Sequence, residues 1–309
     1  MAESSMPVDF YEGPKQVQTW GDRVFTFLGT RVFKKTFTCC LMLVLYVVGA
    51  HMVEDYFGFR LTLPGTETGV FGAALSILMV LRTNSAYDRW WEGRKHWGAL
   101  VNCCRNLALK LEAMSSADEQ QKALAGRYIS LFPYVLRDHL RAGLQEETLR
   151  HFPEPPPKEL GHVPAYLTGK ILAIVKAWRD QGLLSKLDHH LIDTQISHWM
   201  DICGACERIR NTPLPLAHRA LIPQLLGLYL MIVPISVDLT TANVCFTFVL
   251  SYFMIGLELV AEEIEEPFGT DDDDLQLDLL CKGIERSLRQ IMPSLQSSEP
   301  ISDLNLPKK

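Results

Sequence analysis

The sequence lacks an excess of positive charge and the short motifs that mark common enzymes. Its 309 residues include 30 Lys and Arg against 36 Asp and Glu, a net charge of −6. Nucleic acid is therefore not an expected partner, because phosphate neutralisation needs a basic surface. There is no HExxH pattern and no glycine-rich phosphate loop. We expect no catalytic residues, although a membrane-bound enzyme stays as an alternative.

Paired cysteine motifs are also scarce. Cys203 and Cys206 form a single CGAC, and it has neither a second CxxC nor a nearby pair of histidines. A structural zinc or redox site usually needs more than this. We expect these cysteines to pack in the interior, and no cofactor to be required.

Apolar residues, at 48%, are concentrated in runs that predict membrane spans. Basic residues just before the first run place that end in the cytoplasm, and four spans bring the C-terminus back to the same side, so both termini are expected in the cytoplasm. Met1–Thr19 is polar and acidic, so we expect the first span itself to act as the insertion signal. The four predicted spans are Phe37–Val53, Thr66–Leu81, Ala220–Val237 and Val244–Val260.

Amphipathic, charged segments separate the second and third spans and predict soluble helices. The predicted fold is all-α, with about four transmembrane helices and a large helical cytoplasmic domain. The predicted regions are an N-terminal segment (1–30), a first transmembrane pair (31–81) whose second helix is only weakly hydrophobic and so suits a pore lining, the cytoplasmic domain (82–219), a second transmembrane pair (220–260), and an acidic motif with a helix and tail (261–309).

The second span runs without a proline into RTNSAYDRWWEGRKHWG, residues 82–98. The spacing predicts one continuous helix that leaves the membrane and continues into water. Tyr87, Trp90 and Trp91 fall at i, i+3 and i+4 and therefore share a face. Rings of this kind favour a membrane–water boundary.

This stretch closely resembles the signature of bacterial bestrophin-like proteins. CERIRNTPLPLAHR (206–219) and EEPFGTDDDD (265–274) resemble the same family, in the same order. The resemblance implies a homopentameric membrane ion channel in a lipid bilayer. It also implies that signature residues make the membrane exit and the subunit contacts: Arg82, Asp88, Arg89, Trp90, Trp91, Glu92 and Arg94.

The resemblance places the pore neck at Ala73, Ile77 and Leu81, which share a helix face. The alternative is that these three side chains only pack helix on helix. A second, cytoplasmic constriction falls on Leu187, with Leu184 as the fallback. Leucines at such positions are commonly core residues.

The acidic stretch resembles the calcium clasp of animal bestrophins. Asp271 and Asp274 match side-chain ligands, while Glu263 and Glu266 match positions that offer carbonyls. Met1–Gln18 shows no match to the N-terminal part of that clasp. The alternative is that the aspartates cap the next helix. Calcium is thus an optional ligand.

The conducted species is expected to be a small monovalent ion. The predicted neck lacks the aromatic rings of animal bestrophins, whose positive edges help anions. Glu54, Asp55 and Glu67 near the outer mouth would concentrate cations, partly offset by Arg60. The sequence therefore leans to cations such as sodium, with chloride as the alternative. A secondary transporter is a further alternative, although four spans are few for that design.

Overall fold

Helices make up the regular structure of the chain. The structure, a computed structural model, describes residues 19–58, 65–141, 143–157, 159–296 and 299–301, and no strand occurs among them. The predicted all-α class is confirmed. The α-helices are α1 (Trp20–Gly29), α2 (Arg31–Phe57), α3 (Gly65–Met114), α4 (Glu119–Leu140), α5 (Glu146–Arg150), α6 (Val163–Asp180), α7 (Lys186–Asn211), α8 (Leu216–Ile232), α9 (Thr241–Ile264) and α10 (Leu277–Ile291).

Four of these helices are long and apolar enough to cross a membrane, as predicted. They are α2, α3, α9, and α8 together with the short 3-10 helix Pro234–Ser236. The side chain of Thr30 caps α2 by accepting the N–H of Phe33. The helix ends at Phe57, and the capping residue Gly58 has a φ of 68°, in the left-handed region that glycine adopts without strain.

Helix α3 is a single run of 50 residues, so the predicted continuity through the signature is confirmed. At 1.5 Å per residue it is about 75 Å long. It contains no proline that would remove a backbone hydrogen bond. In α4, Pro133 lies inside the helix without ending it.

The chain divides into two compact units. The span unit consists of the described residues of Gln16–Trp91 and Thr212–Asp274, and the core unit of those of Glu92–Asn211 and Leu275–Lys309. The division after Asp274 falls 14 residues beyond the predicted membrane boundary at 260/261, and α9 ends between the two, at Ile264. The division after Trp91 lies within α3, because that helix continues from one unit into the other.

Inside the core unit, aromatic and aliphatic side chains form a buried interior. The rings of Phe132 and Trp199 stack with centroids 4.2 Å apart, joining α4 to α7. Arg137 is buried as well, and it is paired with Asp138 at 2.7 Å and Asp278 at 2.6 Å. Pairing is required here because an isolated buried charge is strongly unfavourable.

Candidate functional site

Three buried charges and one half-buried charge lie where α3, α8 and α9 meet in the span unit. Arg82 Nε donates to both carboxylate oxygens of Glu258, at 2.8 and 3.0 Å. The Glu265 carboxylate lies 3.7 Å from Arg82 Nη1 and 3.1 Å from Nε of the half-buried Arg219. Only 4% of the Arg82 side chain and 1% of the Glu265 side chain are exposed. Each buried charge thus has an opposite charge beside it, as burial requires.

Two signature residues hold the chain that follows α9. Arg89 donates from Nε to the carbonyl of Glu265 at 3.0 Å and from Nη1 to the carbonyl of Thr212 at 2.7 Å. Trp90 Nε1 donates to the carbonyl of Asp273 at 3.0 Å. The signature therefore satisfies backbone oxygens of the acidic segment, which would otherwise lack partners after the helix ends.

The remaining signature residues differ in their surroundings. The ring centroids of Tyr87, Trp90 and Trp91 lie 6.2 to 6.4 Å apart, so the predicted shared face is confirmed. In the core unit, Glu92 accepts a 2.7 Å hydrogen bond from an arginine of α7. Asp88 is exposed and Arg94 is half-buried. The role of these residues in subunit contacts stays a prediction.

The acidic segment is held by contacts within the protein. Arg31 binds the carboxylate of Asp271 at 2.7 Å, and the backbone N–H of Asp271 donates to the carboxylate of Asp274 at 2.5 Å. A Cβ at Gly269 would lie 2.6 Å from that same carboxylate, so glycine permits the close approach. The side chain of Glu266 is 71% exposed and lies 3.7 Å from an arginine of α8.

Calcium binding by the acidic segment stays a prediction, in which Asp271 and Asp274 offer carboxylates and Glu263 and Glu266 offer carbonyls. The carboxylates of Asp271 and Asp274 each accept a protein donor, from Arg31 and from the backbone N–H of Asp271 respectively. One oxygen of Glu263 is buried without a hydrogen-bond partner among the described residues. The N-terminal stretch, residues 1–18, lies outside those residues.

The alternative prediction, that the aspartates cap α10, is wrong. The residue before α10 is Gln276, and no side chain caps the helix there. The Asp274 carboxylate turns back to Asp271 instead. Burial, followed by the negative charge of Asp272, raises the pKa of Asp273.

One face of α3 packs tightly inside the span unit. Leu75 and Met79 are 2% and 3% exposed and join a cluster with Leu226 of α8 and Met254 of α9. Gly72 contributes to this contact because a Cβ there would lie 2.5 Å from the hydroxyl oxygen of Tyr229. Small residues allow helices to approach closely in this way.

Another face of the same helix is uncovered, and it carries the predicted neck. Ile77 and Leu81 are 63% and 53% exposed, and Ala73 is exposed as well. Ser76 lies on this side too, and its hydroxyl donates to the carbonyl of Gly72 at 2.8 Å. The three neck side chains are therefore not buried within the described protomer, and both the pore neck and helix-on-helix packing between copies stay predictions.

The two leucines predicted for the cytoplasmic constriction differ in burial. Leu184 is 4% exposed and packs inside the core unit, in the turn before α7. Leu187 lies in the first turn of α7 and is 69% exposed. Of the two, only Leu187 has a side chain available to a surface.

Comparison with known proteins places this geometry in a family. The model of the bacterial and fungal bestrophins matches residues 14–290. The chain belongs to the bestrophin family. The resemblance in the three sequence stretches is thereby confirmed.

Named relatives of this bestrophin extend over most of its length. It is 30% identical over 283 residues to the voltage-dependent anion channel-forming protein sll1024 of Synechocystis sp., covering 88% of this chain and 89% of the relative. It is 29% identical over 284 residues to the voltage-dependent anion channel-forming protein YneE of Escherichia coli K12, covering 89% and 92%. A crystal structure of a single-residue variant of the Klebsiella pneumoniae bestrophin homolog aligns with a TM-score of 0.75 at 25% identity, covering 84% and 99%.

Sequence reasoning missed part of this bestrophin's charge group. In the sequence, Glu258 is a single carboxylate near the end of the predicted fourth span, and Arg219 is the last residue of the stretch 206–219. Their partners lie far away in sequence, since Arg82 and Glu258 are 176 residues apart. One signal for the pair was available in the sequence: Arg82 ends one apolar run and Glu258 lies near the end of another.

Proposed function

We propose that this bestrophin assembles as a homopentamer and conducts small monovalent ions across the bacterial inner membrane. The observation that carries the proposal is the division of α3 into a packed face and an uncovered apolar face. In the assembly, the uncovered face with Ala73, Ile77 and Leu81 lines the central pathway. The pentamer is what the family resemblance implies.

The choice of α3 as the axial helix rests on the chemistry of the exposed faces. Long exposed apolar surfaces need lipid or another protein to cover them. Helix α9 presents bulky exposed residues such as Phe246 and Phe253, which suit lipid contact. Helix α3 instead presents Ala73 between Gly69 and Ser76, and such small residues allow several copies to approach one axis.

For the ion, we place anions first. The two relatives named above carry anion channel-forming in their names, which favours this order over the cation preference from the sequence. The neck face bears no charged side chain between Ala73 and Leu81, and Arg82 directly below is buried and paired. Cation conduction is the second candidate, because Glu54 and Glu67 near the outer ends of α2 and α3 attract cations. Arg60, expected to offset them, lies outside the described residues.

The decisive experiment is a reversal potential measured with purified protein in planar bilayers under a potassium chloride gradient. A value near the chloride equilibrium potential supports anion conduction, and one near the potassium potential supports the second candidate. Absence of current from correctly assembled protein would refute the channel itself.

A matched pair of variants tests the neck. Ile77→Phe should change the reversal potential or the unitary current, because it adds a ring to the conducting face. Val249→Phe is the control, since Val249 lies on α9 and is equally exposed at 63%. If the two substitutions changed the reversal potential and the unitary current equally, α3 would not be the axial helix.

Assembly and orientation are tested separately. Native mass spectrometry in detergent should give five copies, and a monomer or dimer would refute the pentamer. A reporter enzyme that is active only in the cytoplasm, fused to the C-terminus, should be active. An inactive but stably expressed fusion would reverse the proposed orientation.

A further inference from the structure

Four side chains of metal-ligating type meet in the core unit. His139 lies in the last turn of α4, His162 immediately precedes α6, and Cys203 and Glu207 lie one turn apart on α7. One ligand atom from each lies within 4.8 Å of the others. The histidines are 68 and 45 residues from Glu207 in sequence, so the CGAC motif gave no sign of them.

Without a metal, the cluster is organised around one carboxylate. Glu207 Oε1 accepts hydrogen bonds from His139 Nε2 at 2.6 Å and from His162 Nε2 at 2.9 Å. The Sγ atom of Cys203 belongs to the same group, within 4.8 Å of the other ligand atoms. Two imidazole N–H groups and a thiol therefore surround one carboxylate, and a cation could replace their protons there. Cys206 of the CGAC motif is not part of the group.

The surroundings fix the four side chains and leave one side open. Arg210 donates to the carbonyl of His139 at 2.7 Å and so ties the end of α4 to α7. The side chain of Cys203 is fully buried, so it lies on the inner side of the group. The side chains of His139 and Glu207 are 22% and 26% exposed, and that of His162 is 39% exposed. An ion can thus enter from solvent and meet a preformed set of ligands.

We propose that His139, Cys203 and Glu207, with His162 as the fourth ligand, bind a divalent ion of the zinc class. Zinc prefers nitrogen and sulfur ligands in a four-coordinate arrangement, and two histidines, a cysteine and a carboxylate supply them. Calcium does not suit the set, because it takes oxygen ligands. This inference is independent of the ion that the channel conducts.

The protons that each ligand must lose or move indicate how strongly it would bind the metal. On binding, the Cys203 thiol loses its proton to solvent, and the thiolate forms the bond to the metal. Each imidazole stays neutral by carrying its proton on Nδ1, so that Nε2 can bind. For His162 this costs a hydrogen bond, because its Nδ1 accepts the N–H of Ala165 as the cap of α6. His162 is therefore the weakest ligand, and water can take its place.

The competing explanation is a purely structural hydrogen-bond network between α4, α6 and α7. Both explanations predict that substitutions in the cluster lower stability. Only the metal site predicts bound zinc and a thiolate–metal signal, so the test measures these directly.

The experiment uses the full-length chain, purified with its affinity tag removed, stripped with a chelator and then incubated with zinc or cobalt. Metal content is measured by mass spectrometry after gel filtration, and the cobalt form by its thiolate-to-metal absorption band. We expect one zinc per chain and the cobalt band in the wild type. Cys203→Ser and Glu207→Gln should weaken zinc binding by at least about tenfold, and His162→Asn should do so less.

Two controls keep the test specific. Cys206→Ser changes an equally buried cysteine of α7, and His198→Gln removes an exposed histidine of the same helix; both should keep the zinc. Wild-type protein without zinc, or zinc that persists in both Cys203→Ser and Glu207→Gln, would overturn the proposal. If Cys203→Ser fails to fold, the half-exposed Glu207→Gln alone decides.

Discussion

We expect Arg82→Met to lower the free energy of unfolding by about 3–5 kcal/mol, because it leaves a buried charge without its partner. Within the described residues, Arg82 is the partner that binds both oxygens of Glu258, and 11% of that glutamate's side chain is exposed. Glu258→Met should cost less, about 1.5–3 kcal/mol. Arg82 would then still have the Glu265 carboxylate, 3.7 Å away.

The double substitution separates this explanation from a simple loss of packing. Arg82→Met with Glu258→Met removes both charges and keeps apolar volume, so it should be more stable than Arg82→Met alone. The assay is thermal or denaturant unfolding of purified protein in detergent, followed by circular dichroism. Arg208→Met is the control: its side chain is 63% exposed, so its 2.7 Å ion pair should be worth less than about 1 kcal/mol. A double variant as unstable as Arg82→Met alone would refute the reasoning.

Three further outcomes are expected. Arg89→Ala should destabilise the protein because it removes two hydrogen bonds to carbonyls; a thermal unfolding curve equal to that of the wild type would contradict this. Chelation of calcium should change bilayer current little, and a steep calcium dependence that vanishes in Asp274→Ala would show that the acidic segment binds the ion after all. Burial raises the pKa of Asp278, but two neighbouring arginines outweigh it and the net pKa lies below the usual value. Its stabilising contribution should therefore be present above about pH 4 and lost as pH falls through the lowered pKa, and Asp278→Asn should flatten the acid limb of a stability–pH curve.

The helices were predictable because their signals are local. The first span was predicted over Phe37–Val53 from apolar residues alone, and α2 extends it at both ends as Arg31–Phe57. The extension follows from Thr30, a cap that the apolar run does not reveal. The third span was predicted to reach Val237, but α8 ends at Ile232. Pro234 explains the difference, because it lacks an N–H and begins a 3-10 turn.

The contacts of the site were less predictable because they join distant parts of the chain. Arg82 and Glu258 occupy different spans, and nothing in either local sequence specifies the pairing. The same is true of Cys203, whose partners come from two other helices. The prediction that the aspartates cap α10 was wrong for a different reason. A run of aspartates before a helix usually favours capping, but Asp274 accepts a backbone N–H of its own turn.

The hydroxyl of Ser76 bears on how ions would be ranked at the neck. Because its hydrogen is already donated to the carbonyl of Gly72, it offers no donor to a passing anion. The neighbouring neck side chains expose only carbon and hydrogen. An anion at this level would receive no hydrogen bond in exchange for the water it sheds, so its passage would depend on its own dehydration cost. Large, weakly hydrated anions would then pass more easily than small ones, and the wall would discriminate among anions without binding any of them.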